Sequence, residues 1–428
     1  MRLGGRIQAA IEVLDDIAQR NRPASMALKD WGLSHRFAGG GDRSAIGNLV
    51  YDSLRRRASQ AWRMDDDGSH SLVFATLAAQ WGMTPDEIAG MLDGDRFAPP
   101  LPAVGRWQAW QERDLADAPD HVRADIPQWC SGELEALLGE DWVAEAAALS
   151  ARPPLDLRVN TLKSNRNKML KQLAHTGAVA ADCAPDGIRI AAGARDSRLP
   201  NVQAEAGYQK GWFEIQDEGS QIAAWLSRAM PGEQVLDYCA GGGGKTLAMA
   251  AMMENRGQIH AHDSDRNRLA PIHERIRRAG IRNVQVLVPG ADHSALEGKM
   301  DCVLVDAPCT GSGTWRRRPD SKWRLSAENL GERMGEQDQV LAGAARFVRP
   351  GGRLIYVTCS ILASENTRRA EAFAAANPGF GPLPLAAAMG QLCKNAQFTA
   401  VSDTMVVLSP LKSGTDGFFI AGFQRSNP

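Results

Sequence analysis

A chain of 428 residues is too long for one core, and its 44% hydrophobic and 23% charged side chains are those of an ordinary folded protein, so two or three domains are expected. No apolar run approaches the roughly 18 residues of a membrane span, and no apolar core follows Met1–Gln8 as in a secretory leader. A net charge of −1 means that any footprint for nucleic acid must be local.

Residues 1–145 are expected to be helical. Ile7, Ala10, Ile11, Leu14 and Ile17 fall at helical spacing and form one apolar stripe, closed near Pro23. Ile46, Leu49, Val50 and Leu54 form a second, ending in Arg55-Arg56-Arg57, which suits the negative end of a helix dipole as well as it suits RNA. Gly39-Gly40-Gly41 and Ala98–Pro102 read as loops. From Pro153 the pattern changes: a strand over 155–161, a helix over 165–175 and a strand over 187–191 make a small α+β segment. Trp212–Asp217 then leads, as strand or turn, into a helix over 220–230.

A sustained alternation follows. Strands at 235–237, 258–262, 284–288, 302–305 and 353–357 alternate with helices at 245–253, 266–279, 336–347 and 365–376. Residues 404–408 and 417–423 predict a closing antiparallel pair. This order predicts an α/β fold with a parallel doubly wound sheet, whose ligands bind beyond the carboxyl ends of the strands.

Asp237-Tyr238-Cys239-Ala240-Gly241-Gly242-Gly243-Gly244-Lys245-Thr246 joins the first of these strands to its helix. The terminal Gly-Lys-Thr invites a phosphate-loop reading, but that loop needs a glycine where Cys239 stands, and the dinucleotide fingerprint fails at Thr246. Asp263, after the second strand, suits a ribose diol, and Asp292 follows the third. An adenosine-bearing ligand without a pyrophosphate is S-adenosylmethionine, and that cofactor is expected.

Seven cysteines in irregular spacing fit neither a disulfide framework nor a zinc site, so no metal is expected and a reducing, cytoplasmic compartment is. Cys302 lies within a strand and reads as core; Cys183 and Cys393 have no context. Cys309 and Cys359 differ, because each follows the end of a strand: Asp306-Ala307-Pro308-Cys309 on one, Thr358-Cys359-Ser360 on the other. Carbon 5 of cytosine is too weak a nucleophile to take a methyl group unaided. A thiolate added at carbon 6 makes it an enamine that can. A free thiol with a pKa of about 8.5 is only about 3% ionised at pH 7, so such a site should supply positive charge or donors. A base must later remove the carbon 5 proton, where a second thiol could help. Methylation of an amino group would favour an Asp/Asn-Pro-Pro-aromatic loop, and the sequence has none.

These two cysteine motifs, with Cys239-Ala240-x-x-Gly243-Gly244-Lys245-Thr246, resemble the RsmB/Nop/Sun family of RNA cytosine-5 methyltransferases. The likeness extends to Gln216–Gln221, to Arg317-Arg318-Pro319-Asp320-x-Lys322-Trp323 and to Asp416-Gly417-Phe418-Phe419, and covers roughly residues 153–425. The resemblance implies three parts: a helical, NusB-like RNA-binding domain over 1–145, a small α+β RNA-binding subdomain over 146–205, and a Rossmann-like catalytic domain over 206–428. It implies Cys359 as nucleophile, Cys309 as its assistant in product release and Asp306 facing both cofactor and base. Cys239, Ala240, Gly241, Gly242, Gly243, Gly244, Lys245, Asp263, Arg268 and Asp292 would complete the S-adenosylmethionine site. Arg158 and Asn160 would face RNA, joined by the basic run Arg316, Arg317, Arg318 and by Lys322. The family usually has proline at Gly242, so a looser loop is expected here. The expected activity is cytosine-5 methylation of RNA, 16S rRNA foremost, by a monomer without membrane contact. The same chemistry on tRNA, or a catalytically silent ribosome-assembly factor, is the alternative; a binding module would have no need of two thiols.

Overall fold

The computed structural model describes residues 1–394 and 396–427. Ten α-helices run from Leu3 to Ala148. The first stripe is buried along Leu3–Arg20 and meets Ile46, Leu49, Phe74 and Leu77 in one core. Gly39, expected in a loop with its two neighbours, is the extended cap of helix Gly40–Arg55, so Gly40 and Gly41 are already helical. Glycine is favoured at that cap, and the flanking sequence sustains the turn that follows.

A small antiparallel sheet comes next: β1 (Leu155–Val159), β2 (Val179–Ala180), β3 (Gly187–Ile190) and β4 (Phe213–Ile215), in the order β2-β3-β1-β4. Its fourth strand is thus drawn from beyond residue 205. Leu157, Ile188 and Phe213 pack with Met169 and Leu173 of the segment that crosses it.

The large sheet holds β5 (Gln234–Asp237), β6 (Gln258–Ala261), β7 (Val284–Val286), β8 (Met300–Asp306), β9 (Val348–Thr358), β10 (Phe380–Pro382), β11 (Thr399–Ser402), β12 (Met405–Leu408) and β13 (Phe418–Arg425). Its order is β11-β12-β13-β9-β8-β5-β6-β7, with β10 beside β13. The five strands β5–β9 run parallel and the tail strands β10–β13 antiparallel. The expected closing pair is present, with Met405 opposite Ala421. Val303 and Val305 face one helix layer and Cys302 and Leu304 the other, the signature of a strand covered on both faces. The expected helix over 266–279 is two pieces, Arg266–Leu269 and Ile272–Ala279, because Pro271 has no N–H to continue it. From β5 the chain winds outward through β6 and β7, then returns to β8 and β9 on the other side. The switch point therefore lies between β5 and β8, where Asp237 is in register with Leu304.

Buried polar contacts tie the parts together. Arg55 donates through Nε to the Arg316 carbonyl at 2.9 Å, Lys322 Nζ to the Arg55 carbonyl at 3.0 Å, and Trp323 Nε1 to the Leu54 carbonyl at 2.7 Å. Cys183 and Cys393, for which spacing gave no role, are joined in a disulfide; a separation of 210 residues in sequence hides such a pair. The expectation of seven unbridged cysteines is corrected there. Asp416, buried, accepts from Nε of both Arg316 and Arg317. Asp416→Ala should leave two guanidiniums with Asp217 as their one carboxylate and cost about 3 kcal/mol of stability in urea denaturation. A loss below about 1 kcal/mol would show that the network is solvated rather than buried.

Candidate active site

At the end of β5, Asp237 is 1% exposed. Its Oδ2 accepts from Thr246 Oγ1 at 2.6 Å, while Oδ1 is buried without a partner. Burial pushes its carboxyl up to about 7, against the Thr246 hydrogen bond and with Asp306 adding repulsion. The loop that follows turns back on itself through Gly241 (φ 49°) and Gly243 (φ 80°). A Cβ on Gly243 would stand 2.4 Å from the Ile272 side chain. Gly242 has no such requirement. Instead Arg275 Nη1 donates to the Gly242 carbonyl at 2.5 Å, and Arg275 is itself held by Glu214 of β4 at 3.1 Å. The looseness expected at Gly242 is thus countered from outside the loop.

Asp263, past the end of β6 and 2% exposed, accepts from Gly241 N and Asp265 N, both at 2.9 Å. Each oxygen keeps a lone pair for a further donor. Arg268 is exposed, its guanidinium beside Gly241. Asp292 is exposed; its carboxylate accepts from Ser294 N at 2.9 Å and lines a cavity of about 340 Å³ with Tyr238, His262 and Phe347. Burial, then Asp306, Asp263 and Asp237, drive the Cys239 thiol well above its ordinary range, which unfits it as a nucleophile.

β8 and β9 pair in parallel, Asp306 opposite Val357, and their following loops bring Cys309 Sγ and Cys359 Sγ to 3.4 Å. Lys245, in the first turn of helix Gly244–Met252, reaches Asp306 Oδ2 at 2.7 Å. Burial works against its charge, but Asp306, with Cys359 adding less, holds the ammonium above its ordinary value. A hydrogen bond to Cys359, burial and the negative charges of Cys359 and Glu365 push the Cys309 thiol far up. Cys309 is thereby kept as a thiol beside Cys359.

The predicted RNA contacts fare differently. Arg158 is 6% exposed and donates to Gln216 Oε1 at 2.7 Å; burial lowers its guanidinium to about 10. Asn160 donates to the carbonyls of Gly211 and Ala279 at 2.9 and 2.8 Å, tying the small sheet to the end of helix Ile272–Ala279. Arg316 is spent on Asp416, Arg317 on Asp416 and Asp217, and Lys322 lies 1% exposed in the seam under the helical domain. Burial lowers the Lys322 ammonium to about 8. Arg158, Asn160, Arg316 and Lys322 are therefore corrected from RNA contacts to internal ties, since a buried side chain cannot meet a phosphate. Of the basic run, Arg318 alone is exposed. Asp237, Glu365 and Asn366 were missed; only the position of Asp237 at a strand's last residue could have marked it.

A glycine loop at the switch point, a buried carboxylate past β6, an orphaned Asp237 oxygen and no polyphosphate cradle fit S-adenosylmethionine, and they define a Rossmann-like methyltransferase. A family model described as 16S rRNA methyltransferase RsmB/F matches residues 224–424, and one for an RsmF/B-like ferredoxin-like domain matches residues 126–195. The chain is 33% identical over 314 residues to ribosomal RNA small subunit methyltransferase B of Sodalis glossinidius, covering 72% of this chain and 69% of that protein. With the protein of the same name from Pseudomonas syringae pv. tomato it shares 34% over 275 residues, 63% of this chain and 60% of the relative. Among solved structures, the methyltransferase homolog protein from Pyrococcus horikoshii superposes with a TM-score of 0.60 at 26% identity, over 73% of this chain and all of that one. NSun6 from the same organism, solved with SFG, gives 0.60 at 21%, over 71% and 99%, a likeness of fold. The chain belongs to the RsmB/F family of 16S rRNA methyltransferases, and its cofactor is S-adenosylmethionine.

The Asp237 carboxyl is raised in the folded chain, so its proton favours the fold at low pH, and that contribution is lost as pH rises through about 7. Between about pH 5 and pH 8 the melting temperature of the cofactor-free wild type should fall relative to Asp237→Asn. Parallel melting curves for the two would place the carboxyl in its ordinary range.

Proposed function

We propose that this chain methylates carbon 5 of a cytosine in 16S rRNA through a covalent bond between Cys359 Sγ and carbon 6. The observation that carries the reading is the pair of thiols 3.4 Å apart, delivered by neighbouring strands to the edge where Lys245 meets Asp306. S-adenosylmethionine, when bound, supplies an electrophilic methyl group on a sulfonium. Cys239–Lys245, Asp263 and Asp306, with Arg268 and Asp292 at the margin, would hold it.

Cys359 attacks as the thiolate, supported by the Lys245 ammonium. Its new S–C6 bond pushes electron density to carbon 5, which takes the methyl group. The proton on carbon 5 then leaves to a base and the S–C6 bond breaks, restoring the aromatic ring and the thiolate. Cys309, 3.4 Å from Cys359, is placed to serve that release: it takes the carbon 5 proton as its thiolate, a strong base formed once its own proton has passed to solvent. Asp306, anchored by Lys245 yet one-third exposed, is left to face the base. The target must be unstacked to admit sulfur above its ring, so the RNA should be single-stranded or opened there.

A cluster of cations that face solvent lies on the small sheet's flank. Lys168 Nζ and Lys210 Nζ sit 4.0 and 5.0 Å from the Trp212 ring, and Lys163, also exposed, donates to the carbonyls of Lys210 and Arg278. We infer that RNA phosphates pass over this surface. Lys168→Gln with Lys210→Gln should flatten the salt dependence of RNA binding by about 0.7–0.9 per charge removed; an unaltered slope would send the RNA path elsewhere.

The thiol roles have a direct test on a denaturing gel. Cys359→Ala should neither methylate RNA nor bond to it. Cys309→Ala should attack and transfer but fail to let go, giving a slow, nuclease-sensitive band of enzyme joined to methylated RNA. The reverse pattern, adduct in the Cys359 variant and none in the Cys309 variant, would overturn both assignments.

A further inference from the structure

Behind the two thiols stands a carboxylate that the mechanism does not use. Glu365 is 0% exposed, and burying a carboxylate is costly unless every lone pair is met. Four donors meet it, all neutral: Thr310 N at 2.8 Å, Thr310 Oγ1 at 2.5 Å, Gln337 Nε2 at 3.0 Å and Ser360 Oγ. Gln337 also donates to the Pro308 carbonyl at 2.9 Å. Glu365 thus holds Thr310, the residue after Cys309, directly and Pro308, the residue before it, through Gln337, and it holds Ser360, the residue after Cys359. Its neighbour Asn366 completes the frame. Asn366 Oδ1 accepts from Thr358 Oγ1 at 2.6 Å and Nδ2 donates to the Ser360 carbonyl at 2.9 Å, one residue on either side of Cys359. Tyr356 OH, from β9, donates to the Glu365 carbonyl at 2.6 Å and fixes the brace to the sheet.

We propose that Glu365 and Asn366 are positioning residues that hold the Cys309 and Cys359 loops in register, so that the two sulfurs meet at the distance the reaction needs. The proposal rests on the cytosine-5 reading for its purpose, not for its geometry. A fold that needed only cohesion could fill this space with apolar side chains, as in the surrounding core. A charged group held by neutral donors from two loops and the helix Ala327–Ala345 costs desolvation and gives back a fixed distance. The negative charge of Glu365 also helps to keep the proton on Cys309.

The distance can be read without RNA or methyl transfer. Diamide takes two electrons and two protons from a pair of thiols in contact, is reduced to the hydrazine and leaves an S–S bond. Its rate of joining Cys309 to Cys359, followed by peptide mapping, reports how often the sulfurs touch. In Glu365→Ala and in Asn366→Ala this rate should fall about tenfold or more, while S-adenosylmethionine affinity stays within about twofold. With RNA, kcat should fall and KM for the methyl donor should not. Glu365→Gln, which keeps the size but turns an amide N–H₂ towards donors, should show the same slowing and carries the test if the alanine variant fails to fold. Cross-linking at the wild-type rate in a folded Glu365 variant would overturn the proposal. Failure of the cytosine-5 reading would look different: wild-type enzyme would cross-link normally and leave cytosine carbon 5 unmethylated.

Discussion

The parallel pairing of β8 with β9 is the constraint on which the site depends. Asp306 opposite Val357 fixes where each strand ends, and the Gly313 N–H on the Cys359 carbonyl at 3.0 Å then stitches the two following loops. Two thiols fifty residues apart in sequence meet because two backbones are in register. β5 on the other side of β8 brings Lys245 to Asp306 by the same device. The proposed cofactor loop and the proposed nucleophile are thus set by one sheet edge, with no loop required to find its place alone.

Around that edge the chain uses buried charge to join its parts. Glu214 of the small sheet reaches Arg275 and Arg278 of the catalytic domain, and Arg275 reaches the Gly242 carbonyl. Asp217 and Asp416 share Arg316 and Arg317, so the loop after Cys309 is moored to the β13 approach. Such pairs add little net stability over apolar packing, but they specify one arrangement. The small sheet therefore sets the shape of the cofactor loop as well as lying beside it.

The apolar stripe of Leu3–Arg20, the five parallel strands and the thiols at two strand ends could be read from the sequence because period and strand-end position are local signals. The fate of the arginines could not. Arg316 and Arg318 sit two residues apart in one basic run, yet one is sealed against Asp416 and the other faces water. What decides between them is an aspartate a hundred residues further on. Lys322 misled for the same reason: a lysine in a basic segment gives no sign that a helical domain will close over it. Glu365 was invisible because its four donors come from three separate segments. The Cys183–Cys393 disulfide had no signal in spacing at all.

The central claim is that Cys359 bonds to carbon 6 of its target, and RNA carrying 5-fluorocytosine tests it most directly. Fluorine at carbon 5 cannot leave as a proton does, so the enzyme should stop with its nucleophile attached. Digestion and mass spectrometry of the complex formed with S-adenosylmethionine should find the nucleotide on the peptide that contains Cys359. Attachment to the Cys309 peptide, or recovery of the enzyme free of RNA, would contradict the account.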